Sequence, residues 1–283
     1  MKPAIVVTGA SSGIGRALAL VAGKDAAAML LIGQSKQNLD EVAAELAAIG
    51  VGADVLTVDL SDRNAGPRIE AALMERGLYC DILVNSAGFG LFGPACEISH
   101  DEQIKLLDVN ARALADLSLR FLPGMLERNR GGILNVGSIA AYSPGPYMAI
   151  YFASKAFVKS FTFALAAEVA GTGVTITCLA PGVVRTPFLA RCQIGQTPLF
   201  KIAPRSHAPA IAEAGWRGFK AGKREVIPRL VDRMIARFCS LMPERVLLVL
   251  IATLQRPRPD STIAGASSAD RPSTSSSGTP GAS

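Results

Sequence analysis

Thr8-Gly9-Ala10-Ser11-Ser12-Gly13-Ile14-Gly15 stands directly after the apolar run 4–7 and opens a helix-forming segment that reaches about Val21. A strand, a glycine-rich turn and a helix in that order let backbone approach a ligand closely. The helix N-terminus then aims its free N–H groups and the positive end of its dipole at a phosphate. The spacing is G-x-x-x-G-x-G rather than the commoner G-x-G-x-x-G, and turns of this kind also serve structure alone. The same residues spell Gly9-x-Ser11-x-Gly13, the pattern of a hydrolase nucleophile on a strand-to-helix elbow. An elbow needs an oxyanion loop from an earlier strand, and only ten residues precede Ser11. It also needs a histidine, and the chain offers only His100 in a helix start and His207 in an irregular stretch. The hydrolase reading is set aside.

Outward from this turn, short Val/Ile/Leu-rich runs alternate with helix-length amphipathic segments, which predicts βαβ units and a parallel sheet. Strands are predicted at residues 4–8, 28–33, 53–58, 81–86, 132–138 and 174–180, with a short seventh near 225–227. The first six are too apolar for a wet face, as in a sheet covered on both sides. Ser61 reads as a helix start, and Ser99-x-x-Glu102 reads as a capping box opening a long helix to about Glu127. Between Pro181 and about Arg224 the prolines at 187, 198, 204 and 209 break any long element, so residues 186–224 read as a substrate loop with short helices. Leu230, Val231, Met234, Ile235, Phe238 and Leu241 then recur at helical spacing, with Arg229, Arg233 and Arg237 off the stripe. A second helix starts at Pro243. Its apolar run 246–254 is far shorter than the ~20 residues of a membrane span. These helices, 229–255, are placed to line a lipophilic pocket, to pack in a subunit interface or to rest on a membrane. Residues 256–283 are Ser/Thr/Pro/Gly/Ala-rich and read as a disordered tail.

Length and an apolar content of 49% suit one globular domain with a substantial core. Five scattered cysteines draw no disulfide framework and no C-x-x-C site, which fits a reducing compartment. The apolar strand begins too close to Met1 for a signal peptide, so the expectation is a cytoplasmic protein. Eight basic and three acidic residues fall within 217–245, so most of the net charge of +6 is local. No aromatic platform, zinc pattern or DNA-reading motif accompanies it, which argues against nucleic acid and for an anionic substrate or peripheral contact with a membrane.

Tyr151-Phe152-Ala153-Ser154-Lys155 puts a phenol and an amine four residues apart, on one face of a helix predicted over 150–170. A free phenol titrates near ~10. A neighbouring ammonium favours the phenolate and lowers that value, as a general acid/base requires. The spacing alone fits an amphipathic helix without chemistry equally well.

The motifs acquire specificity together. With residues 8–15, Asp59 after strand three, Asn85-Ser86-Ala87-Gly88 after strand four, Asn110 in the long helix, Ser138 ending strand five, Tyr151-x-x-x-Lys155 and Pro181-Gly182 after strand six, the chain resembles the short-chain dehydrogenase/reductase family over roughly residues 3–228. That resemblance implies a Rossmann-type, doubly wound α/β sheet of about seven parallel strands with helices on both faces. It implies a nicotinamide dinucleotide held across the C-terminal strand ends. By position, Gly9, Ser11, Ser12, Gly13, Ile14 and Gly15 would form the pyrophosphate turn, and Gln34, Ser35 and Lys36 would meet the adenosine ribose. Asp59 and Leu60 would meet the adenine, Asn85, Ala87 and Gly88 the adenine ribose, and Pro181, Gly182, Val184 and Thr186 the nicotinamide end. Tyr151 would exchange the proton with the substrate oxygen, while Lys155 would hold the nicotinamide ribose and depress the Tyr151 pKa. Ser138 would hydrogen-bond the carbonyl oxygen and Asn110 would support a water-linked proton relay. A homodimer or homotetramer through residues 99–127 and 150–170 is also implied.

Two departures from the family pattern matter. Ser86 stands where a second asparagine is common, a change that touches a loop hydrogen bond more than the chemistry. At the end of strand two, Gln34-Ser35-Lys36 lacks the acidic residue of an NAD-preferring member, which favours NADP with NAD as the alternative. The expected activity is carbonyl–alcohol interconversion on a lipophilic substrate, since Phe89, Leu91 and Phe92, residues 142–148 and the C-terminal helices are apolar and stand near the motifs. Two alternatives remain: a 3-oxoacyl thioester reductase using the basic cluster for an anionic carrier, and a non-catalytic cofactor-binding sensor of the same fold.

Overall fold

The computed structural model describes residues 1–192 and 205–256. Its centre is strand β1 (Lys2–Thr8), whose side chains alternate between two cores: Ala4 and Val6 point to one face, Ile5 and Val7 to the other. Around it lie β2 (Met29–Gly33), β3 (Ala53–Thr57), β4 (Leu78–Asn85), β5 (Gly131–Val136) and β6 (Val174–Leu179). They form one parallel sheet in the order β3-β2-β1-β4-β5-β6, closed by a short strand at Glu225–Val226. The strand order reverses between β1 and β4, so a crevice opens at their C-terminal ends, where ligands of such sheets bind.

Helices α1 (Gly13–Gly23) and α2 (Lys36–Ala48) cover one face through Leu18, Leu39, Val42 and Leu46. Helices α3 (Ala65–Glu75), α4 (His100–Leu107), α5 (Ala113–Glu127) and α6 (Ala149–Glu168) stand on the other side of the chain's winding, with Ile69, Leu117, Phe121 and Leu165 in the second core. The predicted strands fall within three residues of the observed ones. β3 is the exception to their two-sided burial, because it is an edge strand and its residues are half-buried or exposed.

Four local expectations are corrected. Ser99 makes no side-chain cap bond, so the capping box is not formed. Ser61 does not start a helix either; it hydrogen-bonds Asp59, and α3 begins at Ala65. The long helix is interrupted by a π-helical turn, Asp108–Arg112, between α4 and α5. Within the segment read as a substrate loop, α7 (Pro187–Arg191) is followed, beyond the undescribed residues 193–204, by the 13-residue α8 (Ala208–Lys220). Helix α8 is a core element: Trp216 and Phe219 are buried against the α1 side, and Trp216 Nε1 donates to Asp25 Oδ2 at 2.6 Å. Pro209, which read as a breaker, occupies the first turn of α8, where no N–H is needed.

Helices α9 (Leu230–Leu241) and α10 (Glu244–Gln255) end the described chain. Here the predicted apolar stripe stays largely exposed. Leu230, Met234 and Leu241 are 71%, 66% and 73% exposed, whereas the buried side of α9 is Asp232 and Ala236. The tail predicted to be disordered lies, from residue 257, outside the described residues, as do Pro198 and Pro204.

Candidate active site

A cavity of about 830 Å³ occupies the crevice at the C-terminal strand ends and runs to the C-terminal helices. That is the size of a pocket for a substantial organic ligand. Its floor is the turn between β1 and α1. Gly9 and Gly13 have φ of +67° and +58°, a region that side chains rarely adopt. A Cβ on Gly9 would stand 2.8 Å from Ala87 Cα, and one on Gly15 would fall on the carbonyl oxygen of Gly9. Thr8 ties the two edges of the crevice, its Oγ1 accepting from the N–H groups of Ser86 and Ala87 at 3.1 and 3.2 Å.

At the other end of the nucleotide-sized half stand the polar groups. Ser138 closes β5 and accepts a hydrogen bond from Ala140 N at 3.1 Å. Tyr151 is half-buried, with its ring 5.5 Å from that of Phe188 and 6.0 Å from that of Phe152. Burial pushes its phenol above the ordinary range, a hydrogen bond from Ser138 works the other way, and Cys192 adds to the rise. Lys155 is buried; its Nζ donates to the Val136 carbonyl at 2.9 Å and lies 5.9 Å from the Tyr151 ring centroid. Burial lowers the Lys155 amine to about 8. Asn110, in the π-helical turn, brackets Phe89: its Oδ1 accepts from Phe89 N at 3.0 Å and its Nδ2 donates to Phe89 O at 2.9 Å. The extra residue of a π turn, often found at functional sites, aims this amide inward.

A family model described as short chain dehydrogenase matches residues 3–196. This chain is a short-chain dehydrogenase/reductase. It is 38% identical over 187 residues to a very-long-chain 3-oxoacyl-CoA reductase of Anas platyrhynchos, covering 64% of this chain and 59% of that relative. Among solved structures it is similar to a short-chain dehydrogenase from Sphingobium yanoikuyae in complex with NADPH, with TM-score 0.75, 27% identity and coverage of 90% and 98% of the two chains. It is likewise similar to a short-chain dehydrogenase/reductase from Burkholderia phymatum in complex with NAD, with TM-score 0.74, 25% identity and coverage of 83% and 92%. The short-chain dehydrogenase is thus an oxidoreductase with a Rossmann fold. A nicotinamide dinucleotide fits its crevice, because the glycine cradle leaves room only for backbone beside the N-terminus of α1.

In this dehydrogenase the cavity wall includes Gly9, Ser11, Ser12, Gly13, Ile14 and Gly15, then Gln34 and Ser35, then Leu60, Ala87 and Gly88. Ser138, Tyr151, Lys155, Pro181, Gly182, Val184 and Thr186 line its other half. Four predicted residues stand elsewhere. Asn85 is buried behind the wall, its Nδ2 donating to Asn135 Oδ1 at 2.9 Å and to Ser118 Oγ at 3.2 Å. Lys36 turns back to Asp40, 2.7 Å away on the next turn of α2. Asp59 accepts from Ser61 and pairs with Lys105 at 3.0 Å; burial would raise its carboxyl, but these bonds prevail and hold it at about 2. Asn110 acts on the wall through Phe89 rather than standing in it.

Sequence reasoning missed Asn38 and Lys105 at the adenosine end and Phe152 beside Tyr151, whereas Met148 lies in the apolar stretch 142–148 and Phe188 and Leu189 in the segment read as a substrate loop. Phe152 had a usable signal, since it adjoins Tyr151; Phe188 and Leu189 arrive from a distant, proline-led helix. Ile235, Phe238, Leu247, Leu250, Ile251 and Leu254 bring α9 and α10 into the same wall. Among the described residues no helix is long and apolar enough to cross a membrane, and no cluster suits a metal ion.

Proposed function

We propose that this short-chain dehydrogenase is an NADP-preferring enzyme that interconverts a carbonyl and an alcohol on a lipophilic substrate, with Tyr151 as general acid/base. In this reading residues 1–228 carry the catalytic sheet, and 229–255 add a wall of the substrate site. The observation that carries it is Tyr151 standing where the glycine-floored half of the cavity meets an apolar half lined by Met148, Phe152, Phe188 and Leu189.

When bound, the cofactor supplies or accepts the hydride. Tyr151 gives its proton to the substrate oxygen during reduction and takes it back during oxidation. Ser138, beside Tyr151 in the cavity wall, steadies the same oxygen as negative charge builds there. Lys155 places a cation near both, favouring the charged transition state over the neutral ground state. Asn110 keeps the Phe89 backbone, and with it that side of the wall, in place.

Support for NADP is the lack of a carboxylate at the β2 corner, where Gln34, Ser35 and Asn38 line the cavity. Lys36 lends no support, being paired with Asp40. The test is a panel of apolar ketones, aldehydes and alcohols with NADPH and NADH, followed by the absorbance of the reduced cofactor. Turnover of apolar ketones with NADPH ahead of NADH is expected; turnover confined to small polar carbonyls would sink the lipophilic reading.

The similarity to the duck 3-oxoacyl-CoA reductase favours a thioester substrate as the second reading. Salt-sensitive activity on thioesters, without activity on free ketones, would select it. We also infer peripheral membrane contact through α9 and α10. Leu230, Met234, Leu241 and Val249 are at least 66% exposed, and Arg233, Arg237 and Arg245 are exposed among them. The protein is expected to co-sediment with phosphatidylserine-containing vesicles, less so at high salt, and not with pure phosphatidylcholine. Leu119 on α5 and Phe157 on α6 are also exposed, which supports self-association through those helices.

A further inference from the structure

Two side chains of the C-terminal helices contradict the chemistry of the wall they stand in. Along α10 the residues lining the cavity are Leu247, Leu250, Ile251, Leu254 and Gln255, spaced as one helical face. Gln255 is the single polar group on that face. It is 1% exposed, and neither Nε2 nor Oε1 has a hydrogen-bond partner.

On α9 the inward residue is Asp232, 2% exposed, with Oδ2 unpartnered. A Cβ on Gly182 would stand 2.5 Å from its Oδ1. The carboxyl is thus seated against the Pro181-Gly182 turn, in the same cavity as Tyr151. Of six buried side-chain N and O atoms without a partner among the described residues, three belong to Asp232 and Gln255. The other three belong to Asp81, Asn85 and Arg120, whose remaining polar atoms are bonded and none of which lines the cavity.

Buried polar groups are nearly always satisfied, and an orphaned one is costly. Two on one ligand wall are best explained by a partner that arrives with the ligand. A hydroxyl suits both: it donates to a carboxylate oxygen and both donates to and accepts from a carboxamide. A second carboxylate would be repelled by Asp232. We propose that Asp232 and Gln255 bind hydroxyl groups of the substrate other than its reacting oxygen, so that the substrate is a lipophilic skeleton carrying hydroxyls. The inference rests on the carbonyl–alcohol reading above and adds the polar substituent.

The probes are a medium-chain methyl ketone and its ω-hydroxy analogue, assayed with Asp232→Asn, Gln255→Leu and the unaltered chain. The hydroxy ketone is expected to have about tenfold or more the kcat/KM of the plain ketone, since a site built to hydrogen-bond a hydroxyl rejects analogues lacking it. In each variant that ratio should fall toward one. Binding is read separately, as the rise in melting temperature given by the ω-diol against that given by the plain alcohol; the same melts show that the variants are folded. A larger rise with the diol, lost in both variants, supports the site even where no ketone is turned over, an outcome that would overturn the reductase reading alone. Equal rises with diol and plain alcohol in the unaltered chain, or a diol preference that survives both substitutions, would overturn the site.

Discussion

Tyr151→Phe should lower kcat for carbonyl reduction by about 10²–10⁴-fold, the range that a positioned proton donor contributes. Phenylalanine keeps the ring against Phe188 and Phe152, so packing and cofactor affinity should change little. Only the hydroxyl is lost, and with it the proton that the alkoxide oxygen must receive. Because that interaction belongs to the transition state, kcat and kcat/KM should fall together. The pH profile adds a second reading. Burial raises the Tyr151 phenol, so it stays protonated through neutral pH, as reduction needs, and reduction should weaken only in alkali. Lys155, brought down to about 8 by burial, sheds its charge first and should mark the start of that decline. Initial rates of the variant and the unaltered chain across pH check both; undiminished reduction by the phenylalanine variant would remove Tyr151 from the chemistry.

The sheet was legible because a buried parallel strand leaves a simple trace, a short run of Val, Ile and Leu between helical segments. The runs at 28–33 and 132–138 gave β2 and β5 to within two residues. Helix α8 was hidden because proline has two meanings. In a helix interior it breaks the hydrogen-bond ladder, while in the first turn it costs nothing, and only the packing of Trp216 and Phe219 distinguishes the two at Pro209. The same limit explains α9. A helical stripe of Leu230, Met234 and Leu241 identifies an apolar face without saying what covers it, and here the buried side is occupied by Asp232 and Ala236.

Within the site, legibility followed the backbone. The glycine turn could be read because its function depends on missing side chains, which no neighbour can redirect. Asn85 and Lys36 could not be placed, since a side chain at a strand end turns to whichever partner the tertiary structure offers. For Asn85 that partner is Asn135 across the sheet, and for Lys36 it is Asp40 one helical turn away. Most motif positions fall along the wall of the crevice, while the side-chain directions are set by neighbours from other elements. Met148, Phe152 and Phe188 show the converse: they meet at Tyr151 without any shared motif.

The glycine turn therefore yields the other large effect. Gly15→Ala should abolish measurable dinucleotide binding while leaving a folded protein. The added Cβ falls on the carbonyl oxygen of Gly9 and comes within 3.2 Å of Ser86 Oγ. Helix α1 has no room to retreat, because Leu18, Ala19 and Ala22 are wholly buried between the sheet, α2 and α8. Gly9 has no room either, since it already approaches the Ala87 backbone too closely for a side chain. The strain must open the crevice between β1 and β4, which displaces the N–H groups that a pyrophosphate would meet. Overpacking of this kind costs about 1–3 kcal/mol of stability, too little to unfold an ordinary domain. Gly52→Ala is the control: its Cβ would meet nothing within 4 Å, its φ is not positive, and it lies far along the chain from the turn. Calorimetric titration with NADPH and thermal melts of both variants decide the matter, and unaltered affinity in the Gly15 variant would mean that the dinucleotide does not lie on this turn.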